Sequence, residues 1–237
     1  MVVNHKTGAL KFIANRIDSN LEGYTNRQGA QGIRAKVNNL TSLFDALAKS
    51  AELKSPRETP ESHFLRVSNQ ANMLLQKWQK DNDQLFEFYR SYYLQVENEI
   101  LRSTGLSAPS NFGDEIRRSL KEMSSEHRTN KMLDLVKKNE SSVLGAIYEA
   151  PAFLSGLAEG EKESHFSIYF GQHAHELLKE RKNLDDIYSS SVVSFMRAYQ
   201  NGLKAFMDSK RMREIEREQE LADNAQAELV GALKASI

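Results

Sequence analysis

The stretch from Glu61 to Thr104 contains neither glycine nor proline, and apolar or aromatic residues recur through it at Phe64, Val67, Ala71, Leu74, Trp78, Leu85, Phe88, Tyr92, Val96 and Ile100. This spacing predicts one helix about 65 Å long at ~1.5 Å per residue, well beyond an ordinary globular helix. The pattern is close to a heptad from Phe64 to Tyr92, but Asp81 falls on the seam and the stripe then drifts. A bundle built around this helix fits that better than an extended dimeric zipper. The aromatic run Phe86, Phe88, Tyr89, Tyr92 and Tyr93 flanks Arg90 and invites a base-stacking reading. Most of it follows the core stripe, so packing is the expectation. Phe86 and Tyr93 lie on another face, which asks for cover from further helices or from a partner chain.

The four prolines, Pro56, Pro60, Pro109 and Pro151, sit where the helical periodicity stops or restarts. A first helix carries Leu10, Ile13, Ile17 and Leu21. Glu22–Gly32, with Gly23, Gly29 and Gly32, reads as a loop, and GYTNRQGAQG matches neither a dinucleotide fingerprint nor a Walker A pattern. A second helix aligns Ile33, Val37, Leu40, Phe44, Leu47 and Ala51. The linker Lys54–Ser62 follows, closing on Thr59-Pro60-Glu61, a cap, a first-turn proline and an acid suited to a helix start. Gly105, Pro109 and Gly113 mark the next joint. Ile116, Leu120 and Met123 start a shorter helix, polar Ser124–Asn130 bends it, and Met132, Leu133, Val136, Val143, Leu144, Ile147 and Tyr148 continue it to Pro151. Phe166, Tyr169, Phe170, His173 and Leu177 predict one further helix, and Leu184 to Phe206 another, with continuity between the two left open by the pattern. Alternating β-branched runs are almost missing. The expected fold is therefore all-α, an elongated helical bundle with one very long central helix and a charged C-terminal helical arm. Its segments are 1–54, N-terminal helices and Gly-rich loop, 55–207, bundle core, and 208–237, the arm.

With 32 Lys plus Arg against 32 Asp plus Glu, no whole-molecule field recommends nucleic acid or an anionic membrane as the main partner. The absence of cysteine excludes disulfides, thiolate metal sites and cysteine nucleophiles. His5, Lys6, Lys11 and Arg16 interrupt the N-terminal apolar residues, so no signal peptide is read there, and no apolar run is long enough to span a bilayer. A soluble protein made in the cytosol is expected. Within Lys210–Glu220, Lys210, Arg211 and Arg213 are followed by Glu214, Glu216, Glu218 and Glu220, which would repel phosphates. Ile215, Leu229 and Leu233 give the arm a thin apolar stripe, suiting a solvated arm or a segment ordered by a partner.

Metal chemistry is weighed at Glu161–Glu180, which holds His165, His173 and His175 among several glutamates. On one helix, His173 and His175 would lie roughly 200° apart, and His165 and His173 about 12 Å apart. His175-Glu176 begins like a zinc-protease motif, but Lys179 stands where the second histidine belongs. His173 with Glu176 is the single pair able to share an ion from one helix. Phe153-Leu154-Ser155-Gly156-Leu157 lacks the first glycine of a nucleophile elbow. No catalytic, cofactor-binding or metal residue is assigned, and no cofactor is expected.

Glu140–Leu157, ESSVLGAIYEAPAFLSGL, is the most apolar long window, and the helical pattern breaks inside it. Pro151 should end a helix and set a turn that presents Phe153 and Leu154. The segment Ala150–Leu157 resembles one in uncharacterised helical proteins encoded by tailed bacteriophages, over about twenty residues and with the acidic start Glu159–Glu163 after it. The resemblance implies a virion-associated or assembly protein whose work lies in contacts with other particle proteins. The leading expectation is a non-enzymatic structural or assembly component that oligomerises, made in the host cytoplasm and carried in the virion. Phe153, Leu154, Phe86 and Tyr93 are its partner-contact candidates, and neither membrane nor nucleic acid is expected as a partner. The alternative is a small helical binding or regulatory module whose charged arm orders on a host protein or nucleic acid.

Overall fold

The computed structural model describes residues 2–107 and 112–235, and among them the chain is all-α, without a strand. The helices are α1 (Val2–Leu21), α2 (Gln28–Glu52), α3 (Pro60–Ser103), α4 (Gly113–Glu122), α5 (Ser125–Lys137), α6 (Ser141–Tyr148), α7 (Glu159–His173), α8 (His175–Asp186), α9 (Val193–Lys204) and α10 (Ser209–Ala235). A π-helical segment, Ile187–Val192, joins α8 to α9 without a break. Pro109, expected at a joint, lies outside the described residues, as does the side chain of Leu233. Among the described residues no helix is long and apolar enough to cross a membrane.

The long helix forms as its composition dictates. Pro60 occupies its first turn, the Thr59 hydroxyl accepts from the Ser62 amide at 3.1 Å, and Glu61 stands near the positive helix end. Its far end is a left-handed stop: Gly105 has φ +72°, Leu106 N–H donates to Leu101 O at 2.9 Å and Gly105 N–H to Arg102 O at 3.1 Å. Asp81, the charge on the seam, is answered by Lys36 of α2.

The chain divides into two compact units, 1–89 with 187–237, and 90–186. These do not follow the three consecutive segments expected from the linkers, because the first unit gathers both ends of the chain. In that unit Leu10, Ile17, Ile33, Leu40, Phe44 and Phe195 are buried, with Phe44 against Tyr199 and Phe206 at ring separations of 6.0 and 5.7 Å. Ser68 donates to the Phe206 carbonyl at 2.9 Å and the Trp78 indole to Met196 O at 3.1 Å, tying α3 to the α9 region. The second unit is built on Leu106, Leu120, Met132, Leu135, Leu144, Ile147, Phe166 and Tyr169.

Several expectations need correction. Glu22–Gly32 is not one loop: α2 begins at Gln28, leaving a short 3₁₀ turn at Glu22–Tyr24. Gly32 lies inside the helix because a Cβ there would come within 2.5 Å of the Phe88 ring. The linker between α2 and α3 is clasped by Arg66, whose Nε donates to Glu58 at 2.7 Å and whose Nη2 donates to Leu53 O at 3.1 Å. Arg66, with help from the Ser55 amide and His63, holds the Glu58 carboxyl down at about 2. The run from Met132 to Tyr148 is not continuous. Asn139, at φ 54°, stops α5 through Glu140 N–H to Leu135 O at 3.1 Å, and its Oδ1 accepts from the Tyr169 hydroxyl at 2.8 Å. The helix expected across Phe166–Leu177 is broken at Ala174.

Gly202 is a second close helix contact in the first unit: a Cβ there would sit 2.5 Å from Phe44, which is itself fully buried. Alanine is favoured over glycine in a helix by about 1 kcal/mol. Overpacking a ring that cannot move typically costs about 1–3 kcal/mol, and here the overlap should win. Gly202→Ala is expected to lower the urea midpoint with an unchanged slope, and a raised midpoint would show that Phe44 can yield.

A cation-pinned turn as the candidate contact site

The break inside Glu140–Leu157 is a tightly specified turn. α6 ends at Tyr148, Pro151 adopts φ −54° and ψ 139°, and Ala152–Ser155 form one 3₁₀ turn. Gly156 closes it at φ +72°, with Leu157 N–H donating to Ala152 O at 3.1 Å and Gly156 N–H to Phe153 O at 3.2 Å. A side chain at Gly156 would also meet the Arg128 guanidinium, 2.9 Å from the position of its Cβ. Ala152, Ser155 and Leu157 are buried, while Phe153 is 65% and Leu154 39% exposed. The turn thus anchors itself by the residues on either side of Phe153 and Leu154 and leaves those two large apolar side chains outside.

Three cations hold the carbonyls around it. Arg117 of α4 donates to Ala146 O. Lys162 of α7 donates to Tyr148 O at 2.9 Å and to Ala150 O at 2.6 Å, and lies over the Tyr148 ring. Arg128 of α5 donates to Gly156 O and also collects Leu120 O at 3.0 Å and Met123 O at 2.8 Å from the end of α4. Positive charge at the carbonyl end of a helix satisfies orphan acceptors and opposes the helix dipole. Burial lowers the Lys162 ammonium from its ordinary range, with Glu159 opposing the shift. A cleft of about 450 Å³ lies beside the turn, lined by Leu101, Leu106, Tyr148, Glu149, Glu163 and Phe166 among others.

The other sequence-derived candidates go elsewhere. Phe86, 45% exposed, belongs to the first unit and packs near Tyr89 and Tyr188, which stack at 4.2 Å. Tyr93 belongs to the second unit and is half-buried; burial pushes its phenol up, with Arg181 opposing and Glu97 assisting. Tyr93 thus shares the second unit with Phe153 and Leu154, whereas Phe86 belongs to the first. His173 and Glu176 fall on different helices, α7 and α8, so the single-helix ligand pair is withdrawn. Among the described residues no group of three His, Asp or Glu side chains is arranged to hold a metal ion. Arg117, Arg128 and Lys162, the residues that shape the turn, were not singled out in sequence, since carbonyl-binding cations have no sequence spacing of their own.

Comparison with known proteins finds no matching family model, no similar curated protein and no similar solved structure.

His165 of α7 is buried, and among the described residues neither its Nδ1 nor the buried Ser155 Oγ has a hydrogen-bond partner. Burial lowers its imidazole below the ordinary 6.5, against a weaker pull from Glu161. The unfolded chain then binds the proton more readily than the folded one, so stability is full above about pH 6.5 and is lost as pH falls below that value. Urea midpoints at pH 7.5 and 5.5 should differ for the parent chain, and His165→Gln should flatten the difference. An unchanged difference in that variant would assign the acid sensitivity to other groups.

Proposed function

We propose that this chain is a non-enzymatic structural or assembly protein acting through helix–helix and turn-to-surface protein contacts, and that it serves a bacteriophage particle as a virion-associated component. The observation that carries the contact reading is Phe153, two-thirds exposed at 65% on a turn whose backbone is pinned from three helices. Exposed aromatic side chains on flexible loops lose much of their binding energy to ordering. Here the ordering is already done by the fold, which is the condition under which an aromatic anchor contributes most at an interface. The assignment to a phage particle rests on the likeness of Ala150–Leu157 to helical proteins of tailed phages, and self-association is part of the same reading.

Phe153→Asp replaces an exposed ring and should leave the circular dichroism and urea midpoint of the isolated chain unchanged. Loss of an anchor of this kind costs about 2 kcal/mol or more, roughly thirtyfold in affinity. Particles produced with the variant should therefore carry much less of this chain, as read by its stoichiometry in sedimented particles. Normal incorporation would remove the turn as a contact site. Deleting 208–237 separates the regulatory-module alternative: loss of partner binding with assembly intact would favour that alternative.

A further inference from the structure

α10 leaves the first unit as a helix without cover. Its start is anchored, since Ile215 is buried and the Arg211 guanidinium lies 4.8 Å from the centre of the Phe64 ring. From Glu216 to Gly231 every residue is exposed. An isolated helical stretch of this length is marginal in water, even with favourable sequence.

The order of residues in this helix is not that of a uniformly solvated rod. Within Lys210–Glu220 the uncharged residues are Met212, Ile215 and Gln219 alone. Their spacing of three and four continues through Ala222, Gln226 and Leu229, so one seam stays free of charge for six successive positions. Asp223 and Glu228, the charges of the later part, fall off it. The seam that covers Ile215 against the chain's own first unit therefore runs on, uncovered, along the exposed helix.

We infer that the exposed seam of α10 is a self-association surface, occupied by α10 of a second copy in a parallel, in-register coiled coil. The glutamines decide the occupant. A primary amide carries both donor and acceptor, so Gln219 and Gln226 are each satisfied by an identical amide at the same level. A parallel second copy supplies that at both levels, with Ala222 on Ala222 and Leu229 on Leu229 between and beyond them. An antiparallel copy aligned on the same seam would set Gln219 against Leu229 and leave the amides unpaired. The parallel pair also brings Glu218 near Asp223 of the second copy, a repulsion, and Arg211 near Glu216, an attraction, so the flanking charges do not set the affinity by themselves. This inference rests on the self-association part of the proposed function and names its surface.

The natural chain has no cysteine, so one introduced thiol reports its neighbour directly. Full-length Gln226→Cys, on the seam, is compared with Leu221→Cys, off it, and with Asn224→Cys, the position an antiparallel pair would favour. Under a mild oxidant at micromolar concentration, Gln226→Cys should form disulfide-linked dimer about tenfold faster than either control, as an effective-concentration advantage requires. Equal rates, a lead for Asn224→Cys, or no linked dimer would each overturn the inference. Leu229→Asp provides a second readout: light scattering should show a lower mass than the parent at equal concentration, and an unchanged mass would count against the seam. Absence of cross-linking alongside Phe153-dependent particle incorporation would sink this surface while the contact reading of the turn stands.

Discussion

The constraint on which the structure depends is the unbroken backbone ladder of α3 from Pro60 to Ser103, because both compact units take residues from it. Without an internal glycine or proline, the ladder has no cheap place to open. The price is that every polar residue on its buried faces must be met by a neighbour. Asp81 shows the consequence. It lies on the core stripe and is tolerated because Lys36 reaches it, with Gln84 sharing the ammonium at 2.8 Å. Removing one member of such a pair leaves a charge in a desolvated position, which costs more than the intact pair contributes. Lys36–Asp81 and Gly32–Phe88, with Ser50 donating to Gln70 at 2.8 Å, also fix α2 antiparallel to the first part of α3.

Around this long helix, the rest of the fold is a problem of stopping helices where they must turn. Three stops use the same bond pair with a left-handed residue: Gly105 after α3, Asn139 after α5 and Gly156 in the turn after α6. Each satisfies carbonyls that a helix end would otherwise leave open. At the turn this is not sufficient, since Pro151 removes a donor and adjacent carbonyls remain. Arg117, Arg128 and Lys162 supply the missing donors from three different helices. The same bonds hold the exposed pair Phe153 and Leu154 in a fixed setting, so one device serves both the fold and the candidate contact site.

What the sequence disclosed follows from which of these devices leave a local trace. Proline and the Thr59 cap act on their own backbone, and the long helix, the linker and the turn at Pro151 were legible from them. Phe153 and Leu154 were placed on the turn for the same reason. Glycine was misread where its purpose is close approach: Gly32 admits the Phe88 ring, a contact 56 residues away in the chain that periodicity cannot register. The stop at Asn139 has no glycine or proline to mark it, although asparagine tolerates the left-handed conformation and here has Tyr169 to hold it. The break at Ala174 and the π-helical segment at Ile187–Val192 carry no residue that marks them. The division of the chain into units depends on long-range packing of both termini, so no composition shift announces it.

The two proposed contact surfaces differ in how they meet the entropy of association. Phe153 and Leu154 sit on a turn already ordered by its bonds, so binding there loses little further freedom and can be strong with few residues. The exposed part of α10 has only its helical hydrogen bonds and its anchored start at Ile215, so a partner would have to supply stability as well as specificity. A seam of alanine, glutamine and leucine suits that task in a particular way. Alanine layers bury little area, which keeps the pair weak at low concentration, while the glutamine layers penalise wrong registers more than they add to affinity. A surface of this composition would associate when many copies are brought close together and release when they are dilute, as the proposed assembly role requires. In the proposed role, a rigid aromatic anchor for docking and a weak, register-specific helix for self-association would divide the work without either requiring a large apolar patch on the free chain.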